Sequence, residues 1–152
     1  MIERVLDFLS GRRTPASASA DELPIAVAAL LIEAARMDDD FSGAERATIE
    51  RLLAEKFALA PAAVAALVAA AERAVERSTQ FFPFTQAICA AMPPEARAQI
   101  IEMLWQVAYA DGVLDPQEDM LLRRIAGLIY VPDRERALAR ERALAKLAAA
   151  KK

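Results

Sequence analysis

Apolar positions recur along this chain with a helical period. Ile2, Val5, Leu6 and Leu9 fall on one face, so residues 2–9 read as a short amphipathic helix that stops at Gly11. Thr14, Pro15, Ser17 and Ser19 mark the next stretch as a linker. Pro24 suits a first helical turn, and the apolar run through Leu30, Leu31 and Ala34 predicts a helix to about Met37. A second begins at Ser42, with Ile49, Leu52, Leu53 and Phe57 on its apolar face. Pro61 opens an alanine-rich helix to about Glu76, which aligns Val64, Leu67, Val68, Ala71 and Val75. Thr79 and Pro83 start a short helix that ends near Ala91, and Pro93-Pro94 then divides the chain.

The second half follows the same order. A helix spans about Glu95 to Ala110 with Ile100, Ile101, Leu104, Trp105 and Ala108 inward. Another runs from Pro116 to about Tyr130 on Leu121, Leu122, Ile125 and Ile129, and a last one starts at Pro132. No segment alternates with the two-residue period of a strand. The expectation is an all-α, single compact domain of about seven to eight helices with an internal pseudo-twofold repeat. Its parts are an N-terminal helix over 1–11, a linker over 12–22, and a helical domain over 23–152. The repeats cover about 24–77 and about 94–149.

The last helix contains Arg134-Glu135-Arg136-Ala137-Leu138-Ala139 and then the same six residue types at Arg140 to Ala145. Six residues do not match a 3.6-residue turn, so Leu138 and Leu144 stand ~120° apart around the axis. A solvated, fraying end with i,i+4 ion pairs is the simplest reading, and a basic docking surface the alternative. Trp105 and Tyr109, four apart, read first as a core pair and second as a binding groove. Phe81-Phe82-Pro83-Phe84 reads as a helix start tucked into the core. Cys89, on an apolar helix, reads as a buried, inert thiol.

One motif occurs in both halves. Apolar Leu31-Ile32 leads to Asp38, then a turn, then Glu45; Leu104-Trp105 leads to Asp111, then a turn, then Glu118. In each copy the Glu follows the Asp by the same interval. The glutamates have a structural explanation. Ser42 with Glu45 forms a capping-box pattern, and Asp115-Pro116 with Glu118 does the same with Asp as the cap. The aspartates are harder to explain, because each sits at the negative end of a helix dipole. An Asx-turn would account for them. So would convergence with the glutamates around a cation, because nearby carboxylates repel unless a proton or cation lies between them. Oxygen-only ligands suit Ca²⁺, Mg²⁺ or Mn²⁺. The candidate ligands are Asp38, Glu45, Asp111, Asp115 and Glu118, with Asp39 and Asp40 as further oxygens. The spacing is not that of an EF-hand, whose loop needs a Glu at its twelfth position.

Composition narrows the chemistry. The 152 residues are 56% hydrophobic and 27% charged, with only 4 Gly and 6% aromatics, and roughly a quarter are alanine, well above ordinary usage. That composition favours close-packed helices. The absence of His removes the usual general base and His-ligated zinc, and a single Cys excludes an internal disulfide. A net charge of −3 argues against nucleic acid as a partner. The first residues lack the uninterrupted apolar core of a signal peptide, and no stretch is long and apolar enough to span a bilayer, so the expected location is the cytoplasm. Residues 2–9 would pack on the domain, with membrane-surface attachment or a partner as alternatives.

Ala108-Tyr109-Ala110-Asp111-Gly112-Val113-Leu114-Asp115 followed by Glu118 resembles the repeated signature of the TerB family, the tellurite-resistance domain related to the N-terminal domain of the co-chaperone DjlA. Ile101-Glu102-Met103-Leu104-Trp105 and Arg123-Arg124-Ile125-Ala126 to Val131-Pro132 are similar to a stand-alone bacterial subfamily. The first copy departs from the pattern, with Arg36-Met37-Asp38-Asp39 where Ala-Asp-Gly is usual. The resemblance implies about seven helices and an acidic pair in each repeat suspected of metal binding: Asp38 with Glu45, and Asp111 with Glu118. It further implies a role in stress responses and membrane-linked complexes, with a protein partner and no defined catalytic activity. Three functions therefore stand side by side: a non-enzymatic interaction module with a divalent cation, a structural scaffold whose acids only cap helices, and, with the least support, a carboxylate- or metal-dependent hydrolase. No catalytic residue is assigned.

Overall fold

The computed structural model describes residues 22–36, 42–77, 82–110 and 116–150. The expected N-terminal helix and its linker lie outside the described residues. Within them are seven α-helices and no strand: α1 (Leu23–Ala35), α2 (Gly43–Phe57), α3 (Pro61–Arg77), α4 (Phe82–Ala91), α5 (Ala98–Ala108), α6 (Pro116–Leu128) and α7 (Asp133–Ala150). One 3₁₀ turn, Pro94–Ala96, precedes α5.

Two helices form the centre. α1 is apolar all round, which only a core position satisfies; Ile25 to Ile32 and Ala35 are buried. It packs against α2, α3, α4 and α5. α5 buries Ala98 and the unbroken run from Ile100 to Val107, and it packs against α1, α2, α6 and α7. The other helices show ordinary one-sided faces. Ile49, Leu52 and Leu53 of α2 and Val64, Val68 and Ala71 of α3 are buried as their spacing predicts. Phe84 is fully buried at the start of α4, as expected for a helix start tucked into the core. No single helix among the described residues is long and apolar enough to cross a membrane.

The start of the second half departs from expectation. A helix from about Glu95 is instead a short 3₁₀ turn and then α5. The i,i+3 bonds of this entry run from Ala96 N–H to the Pro93 carbonyl (3.0 Å) and from Arg97 N–H to that of Pro94 (3.3 Å). Arg97 also donates from its guanidinium to the carbonyls of Met92 (3.1 Å), Cys89 (3.1 Å) and Ile129 (3.4 Å). It thereby ties the ends of α4 and α6 to the entry of α5.

α7 also differs from the frayed end expected. Its fully buried residues are Ala139 and Ala143, one turn apart. Their small side chains let α7 lie close on α5. Long cationic residues then grip α5 on both sides of this seam. Lys146 Nζ (2.9 Å) and Arg142 Nε (3.7 Å) pair with the buried carboxylate of Glu102. Arg140 reaches the hydroxyl of Tyr109. Apolar periodicity overlooks such a helix because alanine is a weak signal in a chain full of it. Leu138 and Leu144, out of phase as the repeat predicted, are both exposed.

α2 and α6 end alike. Ala58 and Tyr130 adopt left-handed backbone, with φ of 52° and 59°. The following N–H groups bond back across the turn, Leu59 to the Ala54 carbonyl (3.1 Å) and Val131 to that of Ala126 (2.8 Å). A Cβ in this conformation costs ~1–2 kcal/mol, against ~0.5–1 kcal/mol of added chain entropy for glycine. Ala58→Gly and Tyr130→Gly should therefore each stabilise the fold by about 0.5–1 kcal/mol. Chemical denaturation of each variant checks this, and a lower midpoint would contradict it.

Candidate acidic site between the two halves

Of the five candidate ligands, Glu45 and Glu118 are described; Asp38, Asp111 and Asp115 lie outside the described residues, as do Asp39 and Asp40. Glu45 is the third residue of α2 and Glu118 the third of α6. The capping box expected at Ser42 is present. Ser42 N–H donates to Glu45 Oε1 and Glu45 N–H donates to Ser42 Oγ, both at 3.1 Å. This reciprocal pair satisfies two donors that the helix start would otherwise leave open. It also fixes the direction of the Glu45 side chain, which is buried despite its charge.

Glu45 and Glu118 line the same cavity, of about 20 Å³. That is room for one water-sized occupant. Its remaining walls are apolar. Ala34 and Ala35 come from the end of α1, Val107 and Ala108 from the end of α5, and Leu121 and Leu122 from α6. The lining is paired across the two copies of the motif: Ala34 with Val107, Ala35 with Ala108, and Glu45 with Glu118 hold matching places in them. Spacing within one copy could not reveal this meeting, because it depends on α1 packing against α5.

The electrostatics of the two glutamates limit what they can do alone. Each lies in the first turn of its helix, where the dipole supplies roughly +0.5 of an elementary charge. Two carboxylates so placed are already partly balanced. Among the described residues there is no group of three or more Asp, Glu, His or Cys placed to hold a metal ion.

Other acids with buried carboxylate atoms, Glu102 and Glu33 among them, were not singled out by the sequence. Glu102 is the anchor of α7 described above. Glu33, half-buried near the end of α1, has one carboxylate oxygen with no hydrogen-bond partner among the described residues. Burial pushes its pKa above the usual carboxylate value, and the nearby Arg36 offsets this in part. A raised folded-state pKa favours folding at low pH, and that advantage is lost as pH rises through it. Glu33→Gln should therefore raise the melting temperature by a few degrees near pH 7.5, with the gain shrinking toward pH 4. Paired melts at the two pH values test this; an equal gain at both would show that the charge is not the cause. Cys89 is half-buried; burial raises its thiol pKa, and Arg97 offsets this in part. An inert thiol was expected.

An all-helical domain built on two buried central helices, with a glutamate from the first turn of each of two flanking helices lining one cavity, is the class that this fold defines. The family model for tellurite resistance protein TerB matches residues 24–141, and the chain belongs to that family. No curated protein and no solved structure matches it.

Proposed function

We propose that this TerB-family domain is a non-enzymatic interaction module of the cytoplasm, set by one divalent cation bound between its halves. The observation that supports the reading is the presence of Glu45 and Glu118, one from each motif copy, in the lining of a single cavity. Asp38 and Asp111 would complete the ligand set, with Asp115 as a further oxygen. All are hard oxygen donors, which suit Ca²⁺, Mg²⁺ or Mn²⁺. A cation there would tie the starts of α2 and α6 to the ends of α1 and α5, so ion occupancy would govern the rigidity of the surface those helices present to a protein partner.

A structural reading is supported by the capping box at Ser42, which already gives Glu45 a role without any ion. Thermal denaturation separates the two. A ligand that binds only the folded state stabilises it by ~2.7 kcal/mol at one hundred times its Kd. Millimolar Ca²⁺, Mg²⁺ or Mn²⁺ should raise the melting temperature of the unaltered chain. Asp111→Asn and Glu118→Gln should abolish that rise. No shift with any of the three ions would leave the acids as helix caps alone.

A further inference from the structure

A second cavity, of about 320 Å³, opens between α6 and α7 with Trp105 of α5 at its floor. Arg123 of α6 and Arg136 and Arg140 of α7 line it, together with the acids Asp119 and Glu141. Two of the arginines have carboxylate partners within their own helices: Arg123 with Asp119 at 3.5 Å, and Arg136 with the exposed Asp133 at 3.3 Å. Arg140 is different. Its guanidinium lies 5.1 Å from the centroid of the Trp105 ring. Nε and Nη2 both donate to the Tyr109 hydroxyl, at 3.1 and 2.9 Å. Tyr109 in turn stacks on Trp105, with centroids 5.7 Å apart.

Arg140 is thus held by aromatic groups and a neutral oxygen, and among the described residues no carboxylate pairs with it. Its charge is oriented but not neutralised. An arginine so fixed loses little side-chain freedom when it takes up a carboxylate. The indole N–H of Trp105 is buried and has no acceptor among the described residues.

The surroundings indicate what carries that carboxylate. The large exposed hydrophobic residues of the described structure are Met120, Tyr130, Leu138 and Leu144. All four belong to α6, α7 or the turn joining them, and Leu144 lines the cavity itself. The unneutralised Arg140 beside the exposed Leu144 complements a segment that carries acidic and apolar side chains together.

We propose that the cleft between α6 and α7 docks an acidic amphipathic segment of a partner protein, with a partner carboxylate on Arg140 and an apolar side chain against Leu144. This deepens the reading of the domain as an interaction module and does not depend on the cation.

The chain's single tryptophan is Trp105, so its emission reports on the cleft directly. The full chain would be titrated with a dye-labelled peptide carrying Glu and Leu at helical spacing, following both Trp105 emission and peptide anisotropy. Saturable binding that weakens as salt rises is expected. Arg140→Met, which keeps the aliphatic stem over the indole, should weaken it by about tenfold or more, the scale of one charge-assisted hydrogen bond. The solvent-exposed Arg123→Gln gives a second variant that leaves the core untouched, and it too should bind more weakly. Equal binding of the matching Lys/Leu peptide, full affinity in both variants, or no saturable change would overturn the proposal. So would saturation by inorganic phosphate or free glutamate at the peptide's concentrations, which would mark a small-anion site. A Trp105 response to anionic lipid vesicles without one to the peptide would assign the cleft to a membrane and likewise overturn it. Repeating the titration with a chelator and with each cation separates this result from that of the ion site.

Discussion

Trp105→Ala will remove about 3–5 kcal/mol of folding stability, the range for deleting a large buried aromatic side chain. Trp105 is 1% exposed. It sits on central helix α5, stacks on Tyr109 and lies under Arg140. Its removal opens a cavity and frees the arginine that helps hold α7 on α5. A domain of this size has only about 5–15 kcal/mol in total, so the variant should be near the limit of folding. Urea denaturation followed by far-UV circular dichroism measures the loss without the missing fluorophore. Trp105→Phe, which retains a ring in the same space, should cost clearly less. Equal losses in the two variants would mean that ring packing is not what Trp105 supplies.

The second large effect concerns α1. Leu30→Ala, Leu31→Ala and Ile32→Ala should each cost about 2–5 kcal/mol. These consecutive residues point ~100° apart around the helix, yet each is 0% exposed. On a helix lying at the surface, three successive truncations would include at least one mild one. On a helix enclosed by α2, α3, α4 and α5, none is mild. Separate denaturation curves for the three variants decide this; one change costing under about 0.5 kcal/mol, the ordinary scale of a surface substitution, would contradict the enclosed position.

The helices were legible in the sequence because their ends are marked chemically. Pro24, Ser42, Pro61 and Pro116 fall at or beside observed helix starts. The Ser42–Glu45 capping box follows from four residues of local sequence and is found as expected. α7 was misread for a physical reason. Its contact is made by Ala139 and Ala143, and its hold on α5 comes from arginines and lysines that look like solvated surface charge. Glu102 was invisible for the same cause: nothing in the one-dimensional pattern distinguishes a buried, doubly paired carboxylate from an exposed one.

At the acidic site, the sequence exposed the twin motifs but suggested two separate acidic pairs, Asp38 with Glu45 and Asp111 with Glu118. That Glu45 and Glu118 line one cavity depends on tertiary packing. α1 packs against α5, and the ends of both helices contribute to the cavity wall. A single cavity of about 20 Å³ has room for one ion, whereas two independent motifs would hold two.

Stoichiometry is therefore the most direct test of a shared site. The full chain would be titrated calorimetrically with Mn²⁺, and in parallel with Ca²⁺ and Mg²⁺, together with the Glu45→Gln and Glu118→Gln variants. One ion per chain is expected, with binding weakened by either substitution although the two residues come from opposite halves of the sequence. Two ions per chain, or a Glu45→Gln variant that binds like the unaltered protein, would contradict it.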